Sequence, residues 1–233
     1  MIGFRRERLA PADGVRAGEQ PLYAIGDVHG RYDLLRALLA EINRDAAQRY
    51  PGVTPLLVLC GDYVDRGPAS AEVLAALTWL LRSTAVEARL LEGNHEAMLR
   101  DFLAALTALR DSLLDAMPTS HYHLLLRLEL LIEIGDYAFV HAGVVPGVAL
   151  HAQRRDDLLW IREGFLDHPK PAAAVIVHGH TWTSDRPTIM PHRIGIDTGA
   201  YKTGVLTALH LCEDRAEIIQ AVDDTALADR AYE

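Results

Sequence analysis

The chain is poor in cysteine. Of 233 residues only Cys60 and Cys212 carry a thiol, so no disulfide framework is indicated. It also lacks an excess of positive charge: 23 Lys and Arg stand against 32 Asp and Glu, a formal net charge of −9, which argues against non-specific nucleic-acid binding. No long apolar run occurs. The longest uncharged stretch, Tyr137 to Gln153, is broken by glycines, a proline and two histidines and does not read as a membrane span. The opening string MIGFRRERLAPADG is charged and has no apolar core of a secretory signal. Internal repeats and low-complexity segments are absent. These absences lead to the expectation of a soluble, cytoplasmic protein with no membrane or nucleic-acid partner.

What is present is ordinary for an enzyme: half the residues are apolar and about a quarter charged. The length suits a single domain, 1–233, with an insertion inside it. Residues 1–20 read as a polar, partly mobile lead-in. Leu22–Ile25, Pro55–Cys60 and Glu87–Leu91 are short apolar runs stopped by glycine-containing loops, the pattern of buried strands. Cys60, at the end of LLVLC, reads as a small buried hydrophobe. Helical spacing follows each run, at 33–49 (Leu34, Leu35, Leu38, Leu39 and Ile42 on one face), at 69–81 and from about His95. Three βα units in succession argue for an α/β sheet.

From Ala97 to Arg127 the chain is rich in Leu and Ala, interrupted by Pro118-Thr119-Ser120. We read 97–130 as a helical, cap-like insertion beside the active-site face, with Leu103, Leu106, Leu113 and Leu114 as core packing. The period then switches to two. Leu130–Ile134 and Tyr137–His141 form a hairpin, Ala173–Val177 and Arg193–Ile196 are further strands, and Val205–Leu211 pairs with Ala216–Val222. A second sheet in this C-terminal half would give a two-sheet sandwich with helices outside.

The chemistry sits at strand ends, where an open α/β sheet builds its sites. In GDVHG (26–30), Asp27 and His29 can face one metal, or form a turn with an incidental histidine. In GDYVDRG (61–67), Asp62 is the natural bridge between two cations, and Arg66 can clamp a phosphoryl group; a surface Asp–Arg pair is the plainer reading. In GNHE (93–96), Asn94 suits a ligand and His95 a general acid, while Glu96 fits the first turn of a helix. His141 and His180 follow strands in the same way. His178, nearer its strand, reads first as a buried, hydrogen-bonded residue and second as a ligand. Six other histidines, at 121, 123, 151, 168, 192 and 210, have no such context and default to structural or surface roles. A string GD-x-HG arises by chance below roughly 10⁻⁵ per start position at average residue usage.

Together the strings resemble the phosphoprotein phosphatase (PPP) family of metallophosphoesterases, most closely its compact bacterial and phage serine/threonine phosphatases, over about residues 22–211. The resemblance implies the calcineurin-like metallophosphoesterase fold, a two-sheet β-sandwich flanked by helices. It implies two divalent metal ions, Mn²⁺ first, with Fe and Zn²⁺ also fitting mixed oxygen and nitrogen ligands. Asp27, His29 and Asp62 would hold one ion, and Asp62, Asn94, His141 and His180 the other. Asp65 would orient His95, and Arg66 would bind substrate phosphate. LLWIREGFL (158–166) resembles the segment carrying a second phosphate arginine, so Arg162 is assigned that role, ahead of Arg154 and Arg155. One position departs: Glu92 stands where the family commonly has arginine, which puts a local ion pair in question.

Such a site attacks phosphorus in line with a hydroxide bridging two metals about 3.5–4 Å apart, while His95 protonates the leaving group. The expected activity is that of a phosphomonoesterase acting on a phosphoprotein or a small phosphorylated substrate, first of all a serine/threonine protein phosphatase. Symmetrical bis(5'-nucleosyl)-tetraphosphate hydrolysis is the alternative, prompted by the IDTGA segment (196–200); a catalytically silent binding module is the third reading.

Overall fold

The structure is a computed structural model that describes residues 1–10, 14–105, 108–170 and 172–225. Its elements run β1 (Ile2–Leu9), β2 (Leu22–Ile25), α1 (Tyr32–Arg49), β3 (Leu56–Leu59), α2 (Ser70–Leu80), β4 (Glu87–Leu90), α3 (Asn94–Ala104), α4 (Ala108–Ala116) and α5 (Thr119–Leu125). There follow β5 (Leu131–Ile134), β6 (Tyr137–Val140), α6 (Arg155–Trp160), β7 (Val175–His178), β8 (Thr188–Met190), β9 (Arg193–Gly195), α7 (Ala200–Thr203), β10 (Val205–Cys212) and β11 (Arg215–Asp223).

Two mixed sheets face each other. One has the order β1-β11-β10-β2-β3-β4 and the other β5-β6-β7-β9-β8. Strands β2, β3 and β4 are parallel, as are β6, β7 and β9. Alternate residues of each strand serve different layers. Leu22, Ala24, Leu56 and Val58 meet Phe139, Val177 and Ile194 between the sheets. Tyr23, Ile25, Leu57 and Leu59 face outward under α1 and α2. Ala138, Val140 and Ile176 pack on Leu158 and Phe165. Burial on both faces explains why these strands read as continuous apolar runs. On α1, Leu34, Leu35 and Leu38 are fully buried, each worth about 1.5–3 kcal/mol relative to exposure.

Three expectations need correction. The N-terminal residues are not a mobile lead-in: Ile2–Leu9 is an eight-residue edge strand paired antiparallel with β11. Its charges are used, since Arg6 reaches Glu41, Asp45 and Glu217; a charged edge strand is soluble yet paired on one side. Nor does the C-terminal hairpin belong to the second sheet. Strands β10 and β11 return to the first sheet, between β2 and β1. Finally, β8, α6 and α7 are elements that the sequence pattern did not single out.

The described residues of 97–130 lie mostly in α3, α4 and α5. Leu103, Leu124 and Leu125 enter the core beneath α1 and α2, with Leu113 and Leu114 packed against it; Leu106 lies outside the described residues. The segment leaves through α3, packs α5 along α2, and returns at Glu129 beside Leu91.

Candidate active site

All six parallel strands deliver a site residue just past their C-terminal ends: Asp27 after β2, Asp62 after β3, Asn94 after β4, His141 after β6, His180 after β7 and Asp197 after β9. The loops are conformationally expensive. Six described non-glycine residues have positive φ, and five of them are His29, Asp62, Asp65, Arg66 and His180. Strain of this kind costs about 1–3 kcal/mol per residue and persists where the surroundings enforce it.

Asp62 lies at the centre, nearly fully buried. Its Oδ2 is 3.4 Å from His29 Nε2 and its Oδ1 is 3.4 Å from His141 Nε2. Asn94 Oδ1 is 2.9 Å from both His141 Nε2 and His180 Nδ1. The tautomers follow from the opposite ring atoms. His29 Nδ1 lies 2.9 Å from the Val64 carbonyl and His141 Nδ1 lies 2.8 Å from the Cys60 carbonyl, so both are the donating nitrogens. The lone pair of each Nε2 therefore points inward, at Asp62 and, for His141, at the Asn94 oxygen as well. Burial drives the His180 pKa down to about 3, and Arg162 Nε donates to its Nε2 at 3.2 Å.

Asp27 completes the cluster. Its Oδ2 accepts the His180 N–H at 2.9 Å, while buried Oδ1 has no hydrogen-bond partner among the described residues. Burial, with Asp197 and Asp62 nearby, pushes its carboxyl well above the ordinary range. A methyl group at Gly179 would overlap Asp27 Oδ1, so glycine is needed there for the β7 loop to pass over the carboxylate. Lone pairs aimed at one another and an orphaned buried carboxylate oxygen are what a divalent cation resolves. The donors group as His29, Asp62 and His95, and as Asp62, His141 and His180, each within 4.8 Å. These residues can hold metal, with borderline nitrogen and hard oxygen ligands.

The working groups stand around this cluster. His95 Nδ1 is 2.7 Å from Asp65 Oδ2, leaving Nε2 facing the cleft, 3.4 Å from Arg66 Nη2. Arg66 Nη1 donates to the Tyr201 hydroxyl at 3.2 Å. Arg66, His95, Arg162 and His180 all line one cavity. The residues assigned to the site from sequence are thus brought together around this cleft, and Arg162 lines the same cavity.

The weaker alternatives lie elsewhere. Arg155 is committed to Glu92, donating from Nε and Nη2 at 3.0–3.2 Å, and exposed Arg154 precedes α6. Glu92 is buried and also accepts Arg100 Nη1 at 2.5 Å. The ion pair that its identity put in question exists, with the acid on β4's end and the bases on α3 and α6. His178 turns away from the cluster: its ring packs on Phe165 at 5.1 Å and its Nε2 is 3.4 Å from Arg193 Nη1. Burial lowers its pKa to about 4. No described residue of 97–130 is among those lining the cavity.

Sequence reasoning missed Asp197, Trp182 and Tyr201, which line the cavity. Asp197 carried a signal, since Ile196-Asp197-Thr198-Gly199 repeats the strand-then-aspartate pattern of GDVHG. Its Oδ1 accepts the Gly199 N–H at 2.8 Å, and burial pushes its carboxyl up to about 7. Glu96 does more than begin a helix: it is fully buried and accepts the amides of Asp62, Tyr63, Val64 and Gly93.

The symmetrical bis(5'-nucleosyl)-tetraphosphatase of Klebsiella pneumoniae (strain 342) is 36% identical over 132 residues, covering 53% of this chain and 43% of that protein. The chain thus spans less than half the length of that curated relative. Among solved structures, one provisionally assigned as a diadenosine tetraphosphatase superposes with a TM-score of 0.66 at 24% identity, covering 88% of this chain and 94% of that one. A serine/threonine phosphatase from Saccharomyces cerevisiae gives 0.58 at 16% identity, covering 91% and 84%; at such identities both show the fold. The calcineurin-like phosphoesterase family model matches residues 20–199. With two facing sheets, strand-end acids and histidines, and this match over most of its length, the chain belongs to the calcineurin-like phosphoesterase family, whose members use divalent metals.

Proposed function

We propose that the protein hydrolyses symmetrical dinucleoside tetraphosphates to two nucleoside diphosphates, with two divalent ions, Mn²⁺ first. The observation that carries this reading is the 36% identity to a symmetrical bis(5'-nucleosyl)-tetraphosphatase. It reverses the order of preference drawn from the motifs alone, which put a serine/threonine phosphatase first; likeness to the yeast phosphatase rests on the fold.

Asp27, His29 and Asp62 would hold one ion, and Asp62, Asn94, His141 and His180 the other. When bound, the ions supply a nucleophile from water at neutral pH and neutralise phosphoryl charge. The chain does the rest. Arg66 and Arg162 bind and orient the phosphoryl oxygens, replacing the contacts to His95, Tyr201 and His180 that they make without substrate. His95 carries a proton at Nε2 for the departing oxygen, and Asp65 at Nδ1 fixes the orientation of the ring.

The test is a turnover panel with Mn²⁺: a dinucleoside tetraphosphate, a phosphoserine peptide and an aryl phosphate. A higher kcat/KM on the dinucleoside, with nucleoside diphosphate as the only nucleotide product, is expected. Preference for the phosphopeptide would restore the protein phosphatase reading, and no turnover of any substrate would leave a binding module.

A further inference from the structure

The chain has three tryptophans, and two of them stand at the candidate site. The third, Trp79, is exposed on α2, away from it. Trp182 lines the cavity, partly exposed, with its indole laid against Gly199; a methyl group at Gly199 would sit 2.5–2.9 Å from three carbons of the ring. Gly199 also has φ +64°, so glycine serves there twice. Tyr201 meets Trp182 edge-on at 6.3 Å and lies under Arg66, whose Cζ is 4.9 Å from the ring centroid. Trp160 is 47% exposed and meets His180 edge-on at 6.3 Å, beside Arg162 two residues on. Arg66 is thus linked to Trp182 through Tyr201, and Arg162 to Trp160 through His180.

Size gives this arrangement a meaning. The cavity over the metal cluster measures about 150 Å³, against roughly 300–1,000 Å³ for pockets that enclose whole organic ligands. It has room for phosphoryl groups only. Whatever the phosphates are attached to must rest outside it; Trp182 and Tyr201 line the cavity and Trp160 reaches it through His180, the two indoles being the larger planar surfaces. Keeping an indole half in water is costly unless something covers it, whereas a planar heteroaromatic ring stacks on it without needing one particular sequence of hydrogen bonds.

We propose that Trp160 and Trp182 are base-stacking residues, one for each end of a two-ended nucleotide whose phosphates occupy the cavity. This rests on the dinucleoside reading given above and adds the residues that select for it. Trp182 has Tyr201 to hold its plane; Trp160 is the last residue of α6, which Glu92 anchors through Arg155.

Binding tests it apart from turnover. In a His95→Asn background, which slows consumption of the ligand, intrinsic tryptophan fluorescence is titrated with a dinucleoside tetraphosphate and with inorganic tetraphosphate, both with Mn²⁺. The dinucleoside is expected to quench and to bind more tightly. Trp160→Ala and Trp182→Ala should each reduce the ratio of the two Kd values about 5- to 150-fold, the equivalent of roughly 1–3 kcal/mol per stacked base, and Trp→Phe should restore much of it. Equal Kd values for the two ligands in the parent protein would overturn the proposal, as would alanine variants that weaken both ligands in parallel. Failure of the dinucleoside reading itself shows separately, as absent dinucleoside turnover in the histidine-intact enzyme.

Discussion

Glu96 Oε2 accepts the backbone N–H of Asp62 at 2.8 Å, and Asp62 Oδ1 accepts the backbone N–H of His95 at 3.0 Å. The carboxylate placed between the two ligand groups is thus held from behind by a second one, which also takes the amides of Tyr63, Val64 and Gly93. Burial and Asp62 push the Glu96 carboxyl up to about 8, while these amides pull it back toward the charged form. Glu96→Gln would turn an N–H donor toward backbone N–H groups. Mn²⁺ affinity should fall about 10- to 100-fold, the usual effect of removing a group that supports ligands. Calorimetric titration with the metal alone measures this; unchanged affinity would mean that the loop holds itself.

His95 differs from the other donors of its group in having Asp65 at its second ring nitrogen. His95 Nδ1 is occupied by Asp65 and its Nε2 lies 4.0 Å from Asp62 Oδ2. His95→Asn should lower kcat about 10²- to 10⁴-fold on a substrate with a poor leaving group, and less on an aryl phosphate, with Mn²⁺ content intact. Loss of a bound ion in metal analysis would instead place His95 among the ligands.

Much of this site was legible because its residues come in short strings at strand ends, where glycine, an acid or a histidine and a loop coincide. Local order carries that information. The parts that were missed depend on contacts distant in sequence. Arg6 reads as a surface charge until Glu217, some two hundred residues on, is laid beside it by β11. Trp182 and Tyr201 look unremarkable until Gly199 brings them together over the cavity. The terminal hairpin shows its strands plainly, but nothing local says which sheet it joins.

Glu92 is a case where identity changed and the interaction survived. Its buried carboxylate ties the end of β4 to Arg100 on α3 and Arg155 on α6. Glu92→Ala removes a buried acceptor from two guanidinium groups that are themselves more than a third exposed, and should cost about 1.5–3 kcal/mol, the scale of hydrogen bonds to a charged group. Urea denaturation measures it. Because α6 ends at Trp160 and Arg162 follows it, KM should rise more than kcat falls; a stability loss with KM unchanged would sink the link between this anchor and the cleft.

His210 supplies a pH dependence away from the candidate site. It packs on Tyr23 at 4.6 Å, contacts Tyr50 Oη at 3.2 Å, and has a buried Nδ1 with no partner among the described residues. Burial lowers its pKa to about 4, with Asp45 and Glu217 opposing and Arg49 assisting. Between about pH 6.5 and 4 the unfolded chain binds this proton and the folded chain does not, so stability falls as pH falls through that window, by roughly 3 kcal/mol for this group. His210→Gln should reduce the slope of unfolding free energy against pH by about one proton there. An unchanged slope would assign the dependence to other groups.

Metal removal should act on stability with a sign that distinguishes ligands from bystanders. Asp27, Asp62 and Asp197 are all nearly fully buried around one cavity, and their mutual repulsion raises Asp27 further. A cation that binds only the folded chain stabilises it by about 2.7 kcal/mol at a hundredfold excess over Kd. At roughly 2–4 °C per kcal/mol for a chain of this size, Mn²⁺ should raise Tm by about 5–11 °C above the chelated protein. Asp27→Asn removes a carboxylate that is costly without metal and needed with it. Its chelated form should therefore melt at or above the parent temperature, while its response to Mn²⁺ shrinks. A variant that melted lower when chelated and kept the full Mn²⁺ shift would show Asp27 to be a structural acid rather than a ligand.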